Sequence, residues 1–219
     1  MTRSRLLTLL LSAGLFLAAL ALIDTARTSV NLPGNNQGYE PAQPISYSHR
    51  LHAGELGIDC RYCHFGAERS KSAGVPPTNV CMNCHGFISA PFAAVRAESE
   101  AATKKERSPR RVISPALRPL YISAGWNDEL QPDSSMAAAP VEWVRVHNLP
   151  DFVYFDHRPH VRAGVQCQQC HGEVQTMERV RQVEDLSMGW CVNCHRESNA
   201  IGVGGRKVNA PIDCVACHY

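Results

Sequence analysis

Five copies of Cys-x-x-Cys-His use all ten cysteines of this chain and constrain it more than any other feature. They are Cys60, Cys63 and His64; Cys81, Cys84 and His85; Cys167, Cys170 and His171; Cys191, Cys194 and His195; and Cys214, Cys217 and His218. This spacing is that of c-type haem attachment. Two thiols one helical turn apart bond both vinyl groups of one porphyrin, and the next residue sets an imidazole beneath the iron. The ten cysteines are therefore candidate cofactor-binding residues, the five motif histidines are candidate iron ligands, and five covalently bound haem c groups are expected. A chain carrying five haems is most simply an electron wire.

Two other uses of cysteine compete. Cys63 and Cys81 are separated by seventeen residues, which suits a pair of zinc-ribbon knuckles. Knuckles pair off, however, and five is odd; zinc also gives no reason for a histidine after every second cysteine. A disulfide framework suits an even cysteine count in an exported chain, yet it too ignores the histidines.

The haems change what the chain needs for a core. From Cys60 to Tyr219 there are 160 residues, or 32 per haem, so the porphyrins must supply much of the buried apolar surface. Short helices and long irregular connections around stacked haems are expected, with few strands. The apoprotein should be largely unfolded, because cofactor binding is here folding free energy. A net charge of +2 does not by itself point to nucleic acid or an acidic partner.

The N-terminus reads Met1-Thr2-Arg3-Ser4-Arg5, then an uncharged, mostly apolar run from Leu6 to Ile23. Eighteen helical residues span about 27 Å, close to the hydrocarbon thickness of a bilayer. A cleaved signal peptide competes, since it shares the basic start and a shorter apolar centre. Its best cleavage-like triplet, Ala19-Leu20-Ala21, lies inside the apolar run, so an uncleaved signal anchor over residues 1–23 is preferred. Arg3 and Arg5 hold the N-terminus in the cytoplasm by the positive-inside rule, placing the rest on the extracytoplasmic face of the inner membrane. That agrees with the haems, because c-type attachment takes place there. Residues 24–44 carry Pro33, Gly34, Gly38, Pro41 and Pro44 and read as a linker.

An internal repeat follows. Tyr47-Ser48-His49-Arg50-Leu51-His52 precedes the first haem motif, and Phe155-Asp156-His157-Arg158-Pro159-His160 precedes the third. Each has an aromatic, one residue, then His-x-x-His, and each passes through a glycine (Gly57 or Gly164) into its motif. Residues 45–86 and 153–196 thus read as two copies of one dihaem module. The domains are a first module over 45–90, an inter-module arm over 91–146, and a second module plus the fifth haem over 147–219. Side chains three apart on a helix point the same way, so one His-x-x-His turn can offer imidazoles to two irons. Setting aside the motif histidines leaves His49, His52, His147, His157 and His160, five candidates for five distal positions. Met177, Met188 and Met136 are rivals to His147 for the fifth; a thioether there would raise that haem's potential.

Lys104-Lys105-Glu106-Arg107-Ser108-Pro109-Arg110-Arg111 is a basic run that suits an acidic redox partner or anionic lipid, or simply a solvated loop. Residues 112–140 hold four prolines with little periodicity and read as an extended arm lying on something.

Several stretches together resemble a known family. They are Ser48 to His64, Gly74-Val75-Pro76-Pro77-Thr78 leading into Cys81, Glu142-Trp143-Val144-Arg145-Val146-His147-Asn148-Leu149-Pro150 running on to Phe155, and Leu186-Ser187-Met188-Gly189-Trp190-Cys191. They resemble the membrane-anchored pentahaem cytochrome c subunit of bacterial alternative complex III, a quinol-oxidising complex. The resemblance covers roughly residues 45–90 and 140–219 plus the N-terminal anchor. It implies a mainly helical and irregular multihaem cytochrome fold with class III or c7-like dihaem modules, preceded by one transmembrane helix. It also implies partners: a membrane subunit that oxidises quinol, an iron–sulfur subunit, and a monohaem cytochrome c or terminal oxidase as acceptor. Residue by residue it supports His49, His52, His157 and His160 as distal ligands and marks His147 as lying in a family motif. Related cytochromes serve other oxidoreductases, so the motifs specify the cytochrome type better than the complex.

Three functions follow. The chain is a non-catalytic electron-transfer subunit, or an enzyme with one haem kept open for a small substrate, or an anchored cytochrome serving a different oxidoreductase. Five spare histidines for five irons argue against an open haem.

Overall fold

The computed structural model describes residues 3–29 and 36–219. Pro33 and Gly34 of the expected linker lie outside the described residues, as do Met1 and Thr2. Helix α1 (Arg3–Ser29) takes in the whole apolar run and continues past Ile23. The residues after Ile23 contain no glycine or proline before Pro33, so nothing stops the helix at the expected boundary. Its described apolar side chains are bare, among them Leu15, Leu22 and Phe16. Among the described residues no helix is long and apolar enough to cross a membrane. The transmembrane helix expected over residues 1–23 is therefore not found among them.

After α1 the chain is a succession of short helices and irregular connections. A π-helical turn (Arg50–Glu55) leads to α2 (Cys60–Cys63) and a 3₁₀ turn (Phe65–Glu68), then α3 (Thr78–His85) and α4 (Phe92–Lys104). Next come α5 (Arg118–Ala124), α6 (His157–Ala163), α7 (Gln168–His171), a 3₁₀ turn (Val174–Thr176), α8 (Met188–Ile201) and a last 3₁₀ turn (Cys214–Ala216). Among the described residues there is no β-strand, only the isolated bridges Trp126–Pro132, Val153–His218 and Val203–Arg206.

The described part of the linker is a strap rather than a free tether. The Gln43 side chain exchanges two 2.9 Å hydrogen bonds with the backbone of Val144, and the Gln37 amide donates to the Val183 carbonyl. Gln182, fully buried, donates its own N–H to the Tyr39 carbonyl and accepts from Gly38 through its carbonyl.

The segment expected as an extended arm folds back instead. Pro119 sits in the first turn of α5, where a missing N–H costs nothing, and Gly125 closes the helix at φ 70°. Leu120, Tyr121 and Leu130 become buried there. The Tyr121 hydroxyl donates to the His85 carbonyl at 2.7 Å, and Ser89 Oγ donates to the Val112 carbonyl at 2.7 Å. The arm is thus packed onto the end of the second motif.

Apart from that cluster the chain buries few apolar side chains of its own, with Ile45, Ala90 and Ala102 completing the set. A protein chain of this size closes a far larger apolar core when it folds around nothing else.

Candidate haem-binding site

Each Cys-x-x-Cys-His motif lies on a helical turn. Asp59 caps α2 by accepting from the Arg61 N–H at 2.8 Å, Ser187 caps α8 through the Trp190 N–H, and Asp213 caps the last 3₁₀ turn through the Ala216 N–H. In the first, third and fifth motifs the histidine N–H donates to the carbonyl of the first cysteine, closing the turn at 2.8–3.0 Å. This closes each of those motifs into the single helical turn that covalent attachment of a porphyrin requires.

The His-x-x-His segments face these motifs in two equivalent ways. In the first module the rings of His49 and His64 have centroids 6.4 Å apart at 3°, and those of His52 and His85 are 6.1 Å apart at 59°. In the second module His157 and His171 are 6.4 Å apart at 7°, and His160 and His195 are 5.9 Å apart at 35°. Two imidazoles bound end-on to one metal ion, each at about 2 Å, put their ring centroids roughly 6 Å apart. One turn therefore faces two motif histidines in each module. The turn is α-helical in the second module and π-helical in the first, where the Leu56 N–H donates to the Leu51 carbonyl. Both turns are left through a glycine in the left-handed region, Gly57 at φ 65° and Gly164 at φ 94°.

The other ring nitrogen is held in seven of these eight histidines. Nδ1 donates to a backbone carbonyl in His52 (Ser48), His64 (Gly74), His85 (Ile88), His157 (Lys71), His160 (Asp156) and His195 (Pro211), at 2.5–2.9 Å. A proton fixed on Nδ1 leaves the Nε2 lone pair for a metal. The seventh is His171, whose Nδ1 lies 3.2 Å from Nε2 of His147. His49 Nδ1 is buried without a hydrogen-bond partner. Burial, with His64 and His52 alongside, brings His49 down to about 4. Burial brings His171 down to about 3, with His147, His157 and His64 adding to it, and brings His147 to about 4. These imidazoles are neutral at neutral pH, the form that binds iron.

The aromatic of each repeat has a defined place. Tyr47 stands edge-on to His49 at 4.8 Å and lies against His52 at 4.4 Å; Phe155 does the same to His157 at 4.9 Å and His160 at 4.8 Å. The repeat displays this position in the sequence, two residues before the first histidine, but not its task of fixing both rings. The backbone carbonyls that orient the imidazoles leave no mark in the sequence at all.

The fifth motif differs. His147, expected as a distal ligand, sits against His171, with ring centroids 4.3 Å apart at 77°. The ring that faces His218 is Phe152, 5.8 Å away at 28°, and the Tyr154 N–H donates to the Cys217 carbonyl at 2.8 Å. Of the rival methionines, Met188 opens α8 and is 70% exposed. Met177 follows the 3₁₀ turn over 174–176 and accepts from the Arg50 N–H, and Met136 lies against Gly125 beyond α5.

The residues fit haem. All ten thiols are unpaired, and among the described residues no three His, Cys, Asp or Glu side chains converge as a metal-ion site. The imidazoles come in twos, which is what an iron already held by four porphyrin nitrogens takes. The scarcity of buried apolar side chains is what a fold built around porphyrins would show.

Known proteins agree with this chemistry. Residues 153–219, which carry His157, His160 and the third, fourth and fifth motifs, match the family described as cytochrome c7 and related cytochrome c. The chain is also 25% identical over 196 residues to the menaquinone reductase multihaem cytochrome c subunit of Nitratidesulfovibrio vulgaris (strain Hildenborough), covering 80% of this chain and 76% of that one. Over its last third the chain is thus similar to cytochrome c7-type proteins, and over most of its length to a multihaem cytochrome c subunit.

Proposed function

We propose that this chain is a pentahaem c-type cytochrome, the electron-transfer subunit of a membrane quinol-oxidising respiratory complex of the alternative complex III type. The observation that carries the reading is the set of four imidazole pairs, each joining one His-x-x-His histidine to one motif histidine at 5.9–6.4 Å. Covalent haem supplies reversible one-electron chemistry. The chain's residues attach it through the ten cysteines and ligate iron through His64, His85, His171, His195 and His218. His49, His52, His157 and His160 would each offer a second imidazole to one haem, which would leave no room for substrate there. His147 acts on His171 rather than on an iron. No side chain performs acid–base catalysis, and the chain is an electron carrier.

In this reading the chain works at the inner membrane with its haems on the extracytoplasmic face. Its partners are a quinol-oxidising membrane subunit and an iron–sulfur subunit, with a monohaem cytochrome c or terminal oxidase as acceptor. A second reading draws on the name of the relative: the same wire would feed electrons toward menaquinone instead of drawing them from a quinol.

The test is gentle detergent extraction and native electrophoresis, with the haem-stained band assayed for quinol:cytochrome c reductase and for quinone reduction. Haem at high mass with quinol oxidation supports the first reading, and quinone reduction in that band supports the second. Haem running alone under the mildest extraction contradicts both.

A further inference from the structure

The contacts between the motifs fix more than which histidine meets which. Within the first module the two motifs touch: the Asn83 side chain donates to the Tyr62 hydroxyl at 3.1 Å, and Cys63 has Cys81 and Cys84 as neighbours. Within the second module Cys170 has Cys194 and Cys191 as neighbours, and His157 and His160 stand on one helix turn.

The modules meet reciprocally through their first motifs. The π-helical turn over 50–55 packs on the 3₁₀ turn over 174–176, which follows the third motif; α6 packs on the 3₁₀ turn over 65–68, which follows the first. The Arg50 N–H donates to the Met177 carbonyl at 2.9 Å, and His157 donates both its N–H and its Nδ1–H to the Lys71 carbonyl. At the centre Cys60 and Cys167, the first cysteines of the two facing motifs, are neighbours. The arrangement is that of an isologous dimer interface built within one chain, with the first and third motifs innermost. At the far side of the second module the last stretch folds onto the fourth motif. His195 Nδ1 donates to the Pro211 carbonyl at 2.5 Å, the Asn199 side chain both donates to and accepts from the backbone of Ala210, and Cys191 has Cys217 as a neighbour.

From these contacts we propose that the five haems form one unbranched line in the order second, first, third, fourth, fifth motif. The order along the wire then differs from the order along the chain: electrons pass between modules from the first motif to the third, and the wire has its ends at the second and fifth motifs. The four most exposed large apolar side chains among the described residues outside α1 flank those two ends. They are Phe87 at 85% and Phe92 at 79% beside the second motif, and Val215 at 86% and Tyr219 at 83% in and beside the fifth. The inference rests on the pentahaem reading above.

Cryo-electron microscopy of the haem-loaded, full-length chain tests it through the iron positions. The expected nearest neighbours are second with first, first with third, third with fourth, and fourth with fifth. A second-to-third contact as the only bridge between modules, a fifth haem lying nearest the first or second, or a branch at any iron overturns the order. A motif without haem contradicts the pentahaem reading instead, so the two failures are told apart.

Discussion

Nε2 of His147 lies 3.2 Å from Nδ1 of His171, whose ring stands parallel to that of His157 within 7°. In the other motif histidines of the four pairs a backbone carbonyl takes this place. An acceptor on Nδ1–H makes the ligating imidazole more basic and favours ferric iron. Substituting His147 by Leu should therefore leave the number of low-spin haems unchanged and raise the midpoint potential of one haem. His147→Gln, which keeps an acceptor, should restore part of the shift. A new high-spin haem in the Leu variant, read from the visible spectrum, would mean that His147 binds iron after all.

The distal assignments give a sharper loss. His157→Ala should convert one low-spin haem to a five-coordinate, high-spin, carbon-monoxide-binding haem, and His49→Ala should do the same for another. The double variant should show two. An undiminished low-spin signal in either single variant would contradict the pairing of that histidine with its motif.

The joint between the modules is close-packed. A methyl group at Gly54 would overlap the Gln175 carbonyl oxygen, which is backbone and cannot swing aside. Gly54→Ala should lower stability by about 1–3 kcal/mol, the usual cost of overpacking. Denaturant unfolding of the haem-loaded protein checks this, and all haems should remain attached.

Much of this was legible beforehand because covalent chemistry leaves no choice of residue. The Cys-x-x-Cys-His motifs and the His-x-x-His repeat are visible as spacing and repetition, and the structure sets each repeat histidine opposite a motif histidine. The contact of His147 with His171 was not legible: a histidine census counts rings and says nothing of which ring meets which. Nor was the folding-back of the arm, because Pro119 reads as a breaker in sequence and is harmless in the first turn of α5. Residues 36–44 likewise carry turn chemistry and yet are strapped to residues 144–183 by glutamine and asparagine amides, which pair with backbone wherever it passes.

Away from the haems, α4 and the basic run are joined by one carboxylate. The Arg107 guanidinium and the Arg110 backbone N–H hydrogen-bond Glu98 and bring it from the usual 4.5 to about 2. A carboxylate held below its unfolded value stabilises the fold fully above about pH 4.5, and the contribution is lost as pH falls through about 2. Amide exchange over residues 98–110, corrected for intrinsic rates, should therefore quicken between those values. In Glu98→Gln it should be faster at neutral pH and nearly independent of acid.

The central claim is that the four imidazole pairs are the axial ligands of four haems, and electron paramagnetic resonance of the oxidised protein, with haem counted per chain, tests it most directly. Parallel imidazole planes split the iron dπ orbitals most, and crossed planes split them least. The account predicts five haems per chain, with two rhombic low-spin signals from the pairs at 3° and 7° and more axial signals from those at 35° and 59°. Fewer than four low-spin haems per chain, in protein carrying its full haem complement, would contradict it.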